Sequence, residues 1–457
     1  MPSCRIRALF VITGVGMEPS SVRVRISLPG SGWIDSLKDQ ITPRRMLAAF
    51  LLMTISFSVP PSLNHILRGG PKDYPLWYET GQKVLHGEVI YPVGQVFPFM
   101  YPPIAAILLA PLSVFGQLPM MLALAVINSA VWLACILMSV YLVTGRPLRQ
   151  HPLLYLIPTA CSAPFAFDTY HLGQVNLLLL GVMLGSFVCL RNGREWGAGA
   201  LVALAVGIKA FPLMAVGYFV YRRHWVACVS LVVSLVMFFA LVPFAVRGYE
   251  QGKQDVTVWA KGMLLNYDEG SIGQRTERAY SWKNQSLVGM SNRLLRHKMA
   301  DENPASNFYV NVVDLDFRTT NAIIVGVALS LCLFYIGVMP SHRHRTRQSD
   351  AIEFAMLLLM ILLFSPYSFG YFFVWLLYPF AVLINLWLTA PKASLDSRRL
   401  GTVFCVSVAL LSLTLVNQRT AEAYGNFFLT TLLLLLTLGW QLNKQKLASA
   451  SAGPVAV

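Results

Sequence analysis

Apolar runs long enough to cross a bilayer recur between Met46 and Trp440, and this pattern leaves few folds open. Hydrocarbon offers no partner for a bare backbone N–H or C=O, so such runs fold as helices that satisfy their own backbones. They fall at about 46–60, 103–117, 120–144, 152–166, 172–190, 196–220, 224–246, 321–339, 351–365, 368–390, 400–416 and 425–441. The reading is an all-α polytopic membrane protein of about twelve spans, with two large extramembrane loops at 64–102 and 247–320. Charged residues make up 12% of the 457, against roughly a quarter in soluble domains, and mean hydropathy is +0.57.

The net charge of +15 does not call for nucleic acid. Lys and Arg fall mainly in short loops between apolar runs, the pattern that retains positive charge on the cytoplasmic side. Tyr221–Trp225, Ser341–Gln348, Pro391–Arg399 and the segment around Lys444 are predicted inside. Counting alternately from an inside N-terminus agrees and puts both large loops outside. The same count puts 146–151 (RPLRQH) and 191–194 (RNGR) outside, against the charge rule. Both move inside if 103–144 crosses an odd number of times and 196–220 an even number, for example as a pair broken at Lys209–Pro212.

Residues 1–43 read as a disordered cytoplasmic tail or as the product of an upstream start codon, Met17 and Met46 being later candidates. Residues 44–442 form the membrane domain, and 443–457 a cytoplasmic tail, which gives a multi-pass plasma (inner) membrane protein with both termini cytoplasmic. The seven cysteines are scattered without a CxxC pair, so neither a disulfide framework nor a zinc site is indicated. A phosphate-binding glycine loop is also missing from the sequence. No cofactor is expected, no residues are assigned to a metal, and the sequence does not decide whether one is required.

The loop Arg68–Pro103 holds a carboxylate, Asp73, among Trp77, Tyr78, Tyr91, Phe97, Phe99 and Tyr101. An acidic loop residue is most simply solvated, but this loop is too aromatic to float free. It is predicted to lie on the membrane surface as short amphipathic helices with its rings at headgroup level, which sets Asp73 beside a lipid headgroup. Glu79 is an alternative base or a hydrogen-bond acceptor. Lys209, within an apolar run, is a functional candidate because an intramembrane charge is costly; the plainer reading is a lysine beside Pro212 that snorkels to an interface. Asp168–Asn176 (DTYHLGQVN) reads as a polar turn, and Ser365-Pro366-Tyr367-Ser368 as another. Asn284-Gln285-Ser286, followed by Arg293, also matches the N-glycosylation pattern.

In order, these pieces resemble glycosyltransferase family 87, polytopic enzymes of the GT-C architecture. The carriers are Asp73, Tyr74, Tyr78, Leu85, Gly87 and Tyr91; Tyr101-Pro102-Pro103; Gly173-Gln174-Val175-Asn176; Lys209-Ala210-Phe211-Pro212 with Arg222-Arg223-His224-Trp225; Asn284-Gln285-Ser286 with Arg293; and Ser365-Pro366. The resemblance implies an inverting hexosyl transfer, most simply of mannose. The donor is a polyprenyl-phosphate sugar, the acceptor a hydroxyl on a lipid or glycan at the outer face. Asp73 is then the general base. Lys209 or Arg293 would hold the lipid phosphate, with Arg68, Lys72 and His171 as further cations. Glu79, Tyr78, Tyr101, Gln174, Asn176, Asn284, Gln285 and Tyr371 would line the substrate site. Where the family often carries histidine after Ser-Pro, this chain has Tyr371 or Phe372, so a histidine contact would come from elsewhere, His171 being the candidate. Two other classes fit the same composition. One is a transporter or flippase for a lipid-linked sugar, for which paired internal repeats would be evidence; the other is an inactive member of the fold.

Overall fold

The computed structural model describes residues 42–68, 73–146, 151–274 and 279–451. By internal packing the chain forms two units, Met1–Ala48 and Ala49–Val457. Of the first, only 42–48 are described, so the predicted N-terminal tail lies almost wholly outside the described residues.

Among the described residues the secondary structure is helical, with one isolated bridge between Tyr267 and Ile272. In chain order the helices are α1 (Pro43–Arg68), α2 (Asp73–Leu85), α3 (Pro103–Ser113), α4 (Gln117–Thr144), α5 (Leu153–Leu172), α6 (Asn176–Arg191), α7 (Glu195–Ile208), α8 (Ala215–Tyr221) and α9 (Trp225–Val236). They continue with α10 (Val242–Arg247), α11 (Tyr249–Met263), α12 (Leu287–Leu295), α13 (Phe317–Val338), α14 (Arg347–Phe364), α15 (Leu377–Thr389), α16 (Leu395–Ala423) and α17 (Asn426–Ser451). Among the described residues seven helical stretches are long and apolar enough to cross a membrane, α9 and α10 counting as one through a π-helical turn at Met237–Leu241. The stretches 103–113, 176–191, 195–208 and 211–221, each within a run counted among the expected twelve spans, are apolar but shorter. Helix α17 continues through Ser451, taking in most of the expected C-terminal tail.

The main core lies among α4–α8, α14, α15 and α17, where Phe187 stacks on Phe354 at 4.3 Å and 2°. Helices α7 and α9 pack backbone to backbone. A Cβ on Gly199 would stand 2.1 Å from the Ala227 carbonyl oxygen, and Ser230 Oγ donates to the Trp196 carbonyl at 2.6 Å. Small residues permit this approach where hydrocarbon gives helices no hydrophobic reason to associate. Gly199→Ala is expected to cost about 1–3 kcal/mol through overpacking. The readout is a lower apparent Tm of the detergent-solubilised protein; an unchanged Tm would mean that the helices part freely.

The basic loops gather at one end of the bundle. Arg222 forms a buried ion pair with Glu353 and donates to the Pro340 carbonyl at 3.0 Å, joining the 221–225 and 341–348 segments. His224 Nδ1 lies 2.7 Å from Glu195, beside the 191–194 turn, and Tyr141 donates to Asn192 at 2.8 Å. A Cβ on Gly145 would sit 3.1 Å from the Arg347 guanidinium. Lys444 and Asp396 pair at the same end, where Lys446 also donates to the Gly337 carbonyl. The turns at Gly145–Arg146 and 191–194 therefore belong with the other basic loops, which corrects the alternate count. The reason is twofold. Helix α3 is short and packs against α2, Gln82 Nε2 donating to the Ser113 carbonyl at 2.8 Å, so α4 alone carries the chain between the ends. The run 196–220 breaks at Lys209, which is extended, and returns through Phe211–Met214 and α8.

The first large loop also differs from expectation. Trp77, Tyr91, Phe97 and Phe99 are buried in a second core with α3 and Trp259 of α11, not spread on an exposed surface. Rings of Tyr91 and Phe97 meet at 4.9 Å, those of Trp77 and Tyr101 at 4.4 Å. So many aromatics in one loop gain more from burying one another than from an interface. The two large loops are tied by Arg247 at the end of α10, paired with buried Asp255 at 3.1 Å and donating to the Lys83 and Glu88 carbonyls. Burial outweighs the guanidinium and holds the Asp255 carboxyl above its ordinary range. A pair of this kind fixes position more than it adds stability.

Candidate active site

At the end opposite the basic loops, a carboxylate, an amide and an ammonium stand in a row. Asp73 opens α2, where the helix dipole favours a negative charge. Two side chains of α2 hang the helix from the C-terminal turn of α5: Tyr74 donates to the Tyr170 carbonyl at 3.1 Å and Trp77 Nε1 to the Gly173 carbonyl at 2.7 Å. Burial raises the Tyr74 phenol, with Tyr170 and Asp73 adding to the shift, so it remains a donor. Gly173 is required here twice over. Its φ of +76° ends α5 in the left-handed region, and a Cβ would lie 3.0 Å from the Tyr74 ring.

That turn delivers Gln174 between the two charges. Its Nε2 donates to Asp73 Oδ2, while its Oε1 accepts from Tyr101 at 3.1 Å and faces Lys209 Nζ at 3.4 Å. Lys209 also reaches Asn176 Oδ1 at 3.1 Å. Its ammonium stands 4.2 Å from the ring centre of Phe372, 5.2 Å from that of Tyr101 and 5.5 Å from that of Tyr371. Three rings around one cation supply electrostatic attraction without neutralising it. Trp375 Nε1, from the 3₁₀ segment Gly370–Leu376, donates to the Asn176 carbonyl at 3.1 Å and holds α6 against this cage.

Six of the sequence candidates thus meet: Asp73, Tyr101, Gln174, Asn176, Lys209 and Tyr371. Others do not join them through any contact described. Glu79 is exposed, six residues and so about 240° around α2 from Asp73. Tyr78 packs at the edge of the aromatic core. His171 is exposed and stacks on Phe167 at 5.7 Å. Lys72 and the Arg68 side chain lie outside the described residues.

Asn284, Gln285 and Arg293, expected in substrate and phosphate roles, form a structural clasp in which their side chains bond backbone groups. Asn284 is fully buried; its amide donates to the Ala279 and Pro366 carbonyls at 2.8 and 2.9 Å and accepts from Ser368 N at 3.1 Å. An enclosed, bonded amide is no glycosylation acceptor. Gln285 donates to the Trp282 and Glu422 carbonyls at 2.8 and 2.6 Å. Ser286 caps α12 and donates to the Pro366 carbonyl at 3.1 Å. Arg293, also fully buried, donates to the carbonyls of Ser281 at 2.7 Å, Ala423 at 2.9 Å, Asn284 at 3.0 Å and Glu422 at 3.2 Å. Burial lowers its guanidinium to about 9, opposed by Glu422, and its donors are spent on backbone oxygens. The Asn-Gln-Ser and Ser-Pro motifs are therefore one device pinning the second large loop to α14 and α16. Arg293→Lys, which cannot reproduce the fork, is expected to cost about 3–5 kcal/mol and show as lost folded protein. A folded Arg293→Lys protein with an altered donor KM alone would restore the ligand role.

Sequence reasoning missed Phe372 as the nearest ring to Lys209 and the Arg247–Asp255 tie. The first stands where histidine was looked for, and the second pairs residues with no motif around them.

A helical bundle with several stretches long and apolar enough to cross a bilayer has the form of a multi-pass membrane protein. Residues 99–366, more than half of the chain, match the profile of glycosyltransferase family 87, and the chain belongs to that family. It is 33% identical over 147 residues to a polyprenol-phosphate-mannose-dependent alpha-(1-2)-phosphatidylinositol pentamannoside mannosyltransferase of Mycolicibacterium smegmatis, covering 32% of this chain and 34% of the relative. A phosphatidylinositol mannoside mannosyltransferase of the same dependence and organism is 26% identical over 174 residues, 33% of this chain and 38% of that protein. The pentamannoside enzyme of Mycobacterium tuberculosis is 27% identical over 208 residues, 42% and 46%. The chain thus spans less than half the length of the curated relatives it matches.

Proposed function

We propose that this chain is an inverting membrane glycosyltransferase that moves a hexose, mannose in the first instance, from a polyprenyl-phosphate carrier to an acceptor hydroxyl. One observation carries the reading: Gln174 holds a carboxylate and a caged ammonium side by side at the end of the bundle away from the basic loops. That end is the outer face if the basic loops are cytoplasmic.

The chemistry needs these two groups and little else. Asp73 takes the proton of the acceptor hydroxyl as its oxygen attacks the anomeric carbon from the face opposite the lipid phosphate. The bond from that carbon to the phosphate oxygen breaks and the electron pair leaves with the phosphate. Already anionic, this leaving group needs a cation more than a general acid, and Lys209 supplies one in a setting poor in water. Gln174 positions both groups, which makes it a positioning residue. Tyr101 and Tyr371 present ring faces and hydroxyls suited to a sugar. Mannose and a phosphatidylinositol-mannoside acceptor are supported by the names of the relatives.

The deciding experiment incubates membranes containing the protein with radiolabelled polyprenyl-phosphate hexoses and identifies the labelled product. Label on a new lipid or glycan supports transfer, with mannose expected as the sugar. Label that changes side of a sealed vesicle while still on its carrier would assign a transporter instead.

A further inference from the structure

The 3₁₀ segment that brings Tyr371 and Phe372 to Lys209 meets a second carboxylate at its first residue. A Cβ built on Gly370 would stand 3.5 Å from Asp168 Oδ2 and 3.7 Å from the Phe427 ring. Gly370 is not among the residues at positive φ, so what its missing side chain provides is room beside the carboxylate. Asp168 is partly buried and has no hydrogen-bond or ion-pair partner among the described residues. Burial pushes its carboxyl up to about 6, and His171, stacked on Phe167, opposes this only from a distance. Glu422 lies within electrostatic range and adds like charge. The nearby C-terminal end of α5 carries a negative dipole as well. A carboxylate kept where its surroundings all disfavour it, and bonded to nothing, is an acceptor left open for a ligand. Phe369, the residue before Gly370, is partly exposed, with Tyr367 at 5.8 Å and Tyr371 at 5.9 Å between ring centres. The clasp fixes its position: the Gln285 N–H donates to the Ser368 carbonyl at 2.8 Å, and Ser368 Oγ to the Leu362 carbonyl at 2.6 Å.

We infer that Asp168, Phe369 and the space over Gly370 form a pyranose subsite beside the reaction centre, which, resting on the proposed transfer reaction, holds a sugar of the acceptor. A pyranose presents C–H bonds on one face and hydroxyls around its edge. The C–H face seats on the electron-rich face of the Phe369 ring. Neighbouring hydroxyls donate to the two oxygens of Asp168, which when ionised only accepts. A metal ion would need further ligands, and among the described residues no group of three His, Cys, Asp or Glu is placed to hold one. The hexose being transferred has its place between Asp73 and Lys209, so a second sugar position along the same 3₁₀ segment belongs to the acceptor. Its consequence is specificity: acceptors that already carry a sugar are preferred over bare lipid hydroxyls.

The test uses the full chain purified in a detergent without a sugar headgroup, with methyl α-D-mannopyranoside as probe in saturation-transfer NMR. Wild type is expected to saturate the protons of one sugar face most strongly. Asp168→Ala is expected to cut the signal severalfold, and Phe369→Leu to remove the preference for one face. Because Asp168 bonds to nothing in the protein, its removal should leave the apparent Tm unchanged or higher. No signal from wild type, or an equal signal from folded Asp168→Ala, would overturn the subsite. If neither variant folds, the wild type answers through carbodiimide labelling of Asp168 read by peptide mass spectrometry. The mannoside is expected to slow that labelling severalfold, and no protection would overturn the subsite. The source of the sugar is read in membranes given a radiolabelled polyprenyl-phosphate mannose and octyl α-D-mannopyranoside. Asp168→Ala should raise KM for the octyl mannoside at least tenfold with donor KM unchanged. A rise in donor KM alone would overturn the assignment to the acceptor. Hexose transfer with the subsite refuted would leave the reaction standing; mannoside bound as expected with no hexose transferred would do the reverse.

Discussion

Asp73→Asn is expected to leave the protein at its normal level in the membrane and to reduce hexose transfer from a polyprenyl-phosphate donor by about 10²–10⁴-fold, the range a general base contributes. Asparagine has nearly the same shape and suits a helix N-terminus as well as aspartate does, so the anchoring through Tyr74 and Trp77 is untouched. What is lost is the ability to take a proton. The measurement is label transferred per unit of immunodetected protein in isolated membranes. Transfer at the wild-type rate would remove Asp73 from the base role.

The second large effect is expected at Lys209. Lys209→Met keeps an unbranched apolar stem inside the cage of Tyr101, Tyr371 and Phe372 and removes only the charge. A charge-assisted contact to phosphate is worth about 1.5–3 kcal/mol, so kcat/KM for the donor should fall about 10–100-fold. Acceptor KM and apparent Tm should be little changed. Equal donor kinetics in the variant would make Lys209 a snorkelling residue held by aromatic faces.

Much of this arrangement is legible in the sequence for clear physical reasons. Apolar runs must become helices, and Asp73 lies just where an extramembrane segment starts. A lysine followed by Ala-Phe-Pro within an apolar run makes a helix break one of two readings open to the sequence, and the structure has the break. Two things are hidden. Apolar run length does not distinguish α3, which folds back on α2, from a span, so crossing parity and the face of the 167–174 turn come only from contacts between loops distant in sequence. Motifs also do not reveal which partner their polar atoms will find. Asn284, Gln285 and Arg293 have the residue types of a binding site, yet burial beside the carbonyls of Pro366, Ala423 and Glu422 makes them a clasp. Gln174 and Asn176 have similar chemistry but sit beside charges.

The break at Lys209 also bears on how the chain is made. Residues 196–220 are apolar throughout apart from that lysine, and as one helix of 25 residues they would span about 37 Å at 1.5 Å per residue, enough for a single crossing. The folded protein uses the segment as two opposed legs, with Glu195 and His224 paired where they return to the same end. A segment that can satisfy the membrane in one stroke is asked to turn back within it. Its hairpin is held by the Arg222–Glu353 pair, whose carboxylate is synthesised more than a hundred residues later. Nascent chains therefore pass through a stage in which, of these two pairs, the Glu195–His224 pair alone holds this hairpin, before α14 brings the Glu353 carboxylate to Arg222.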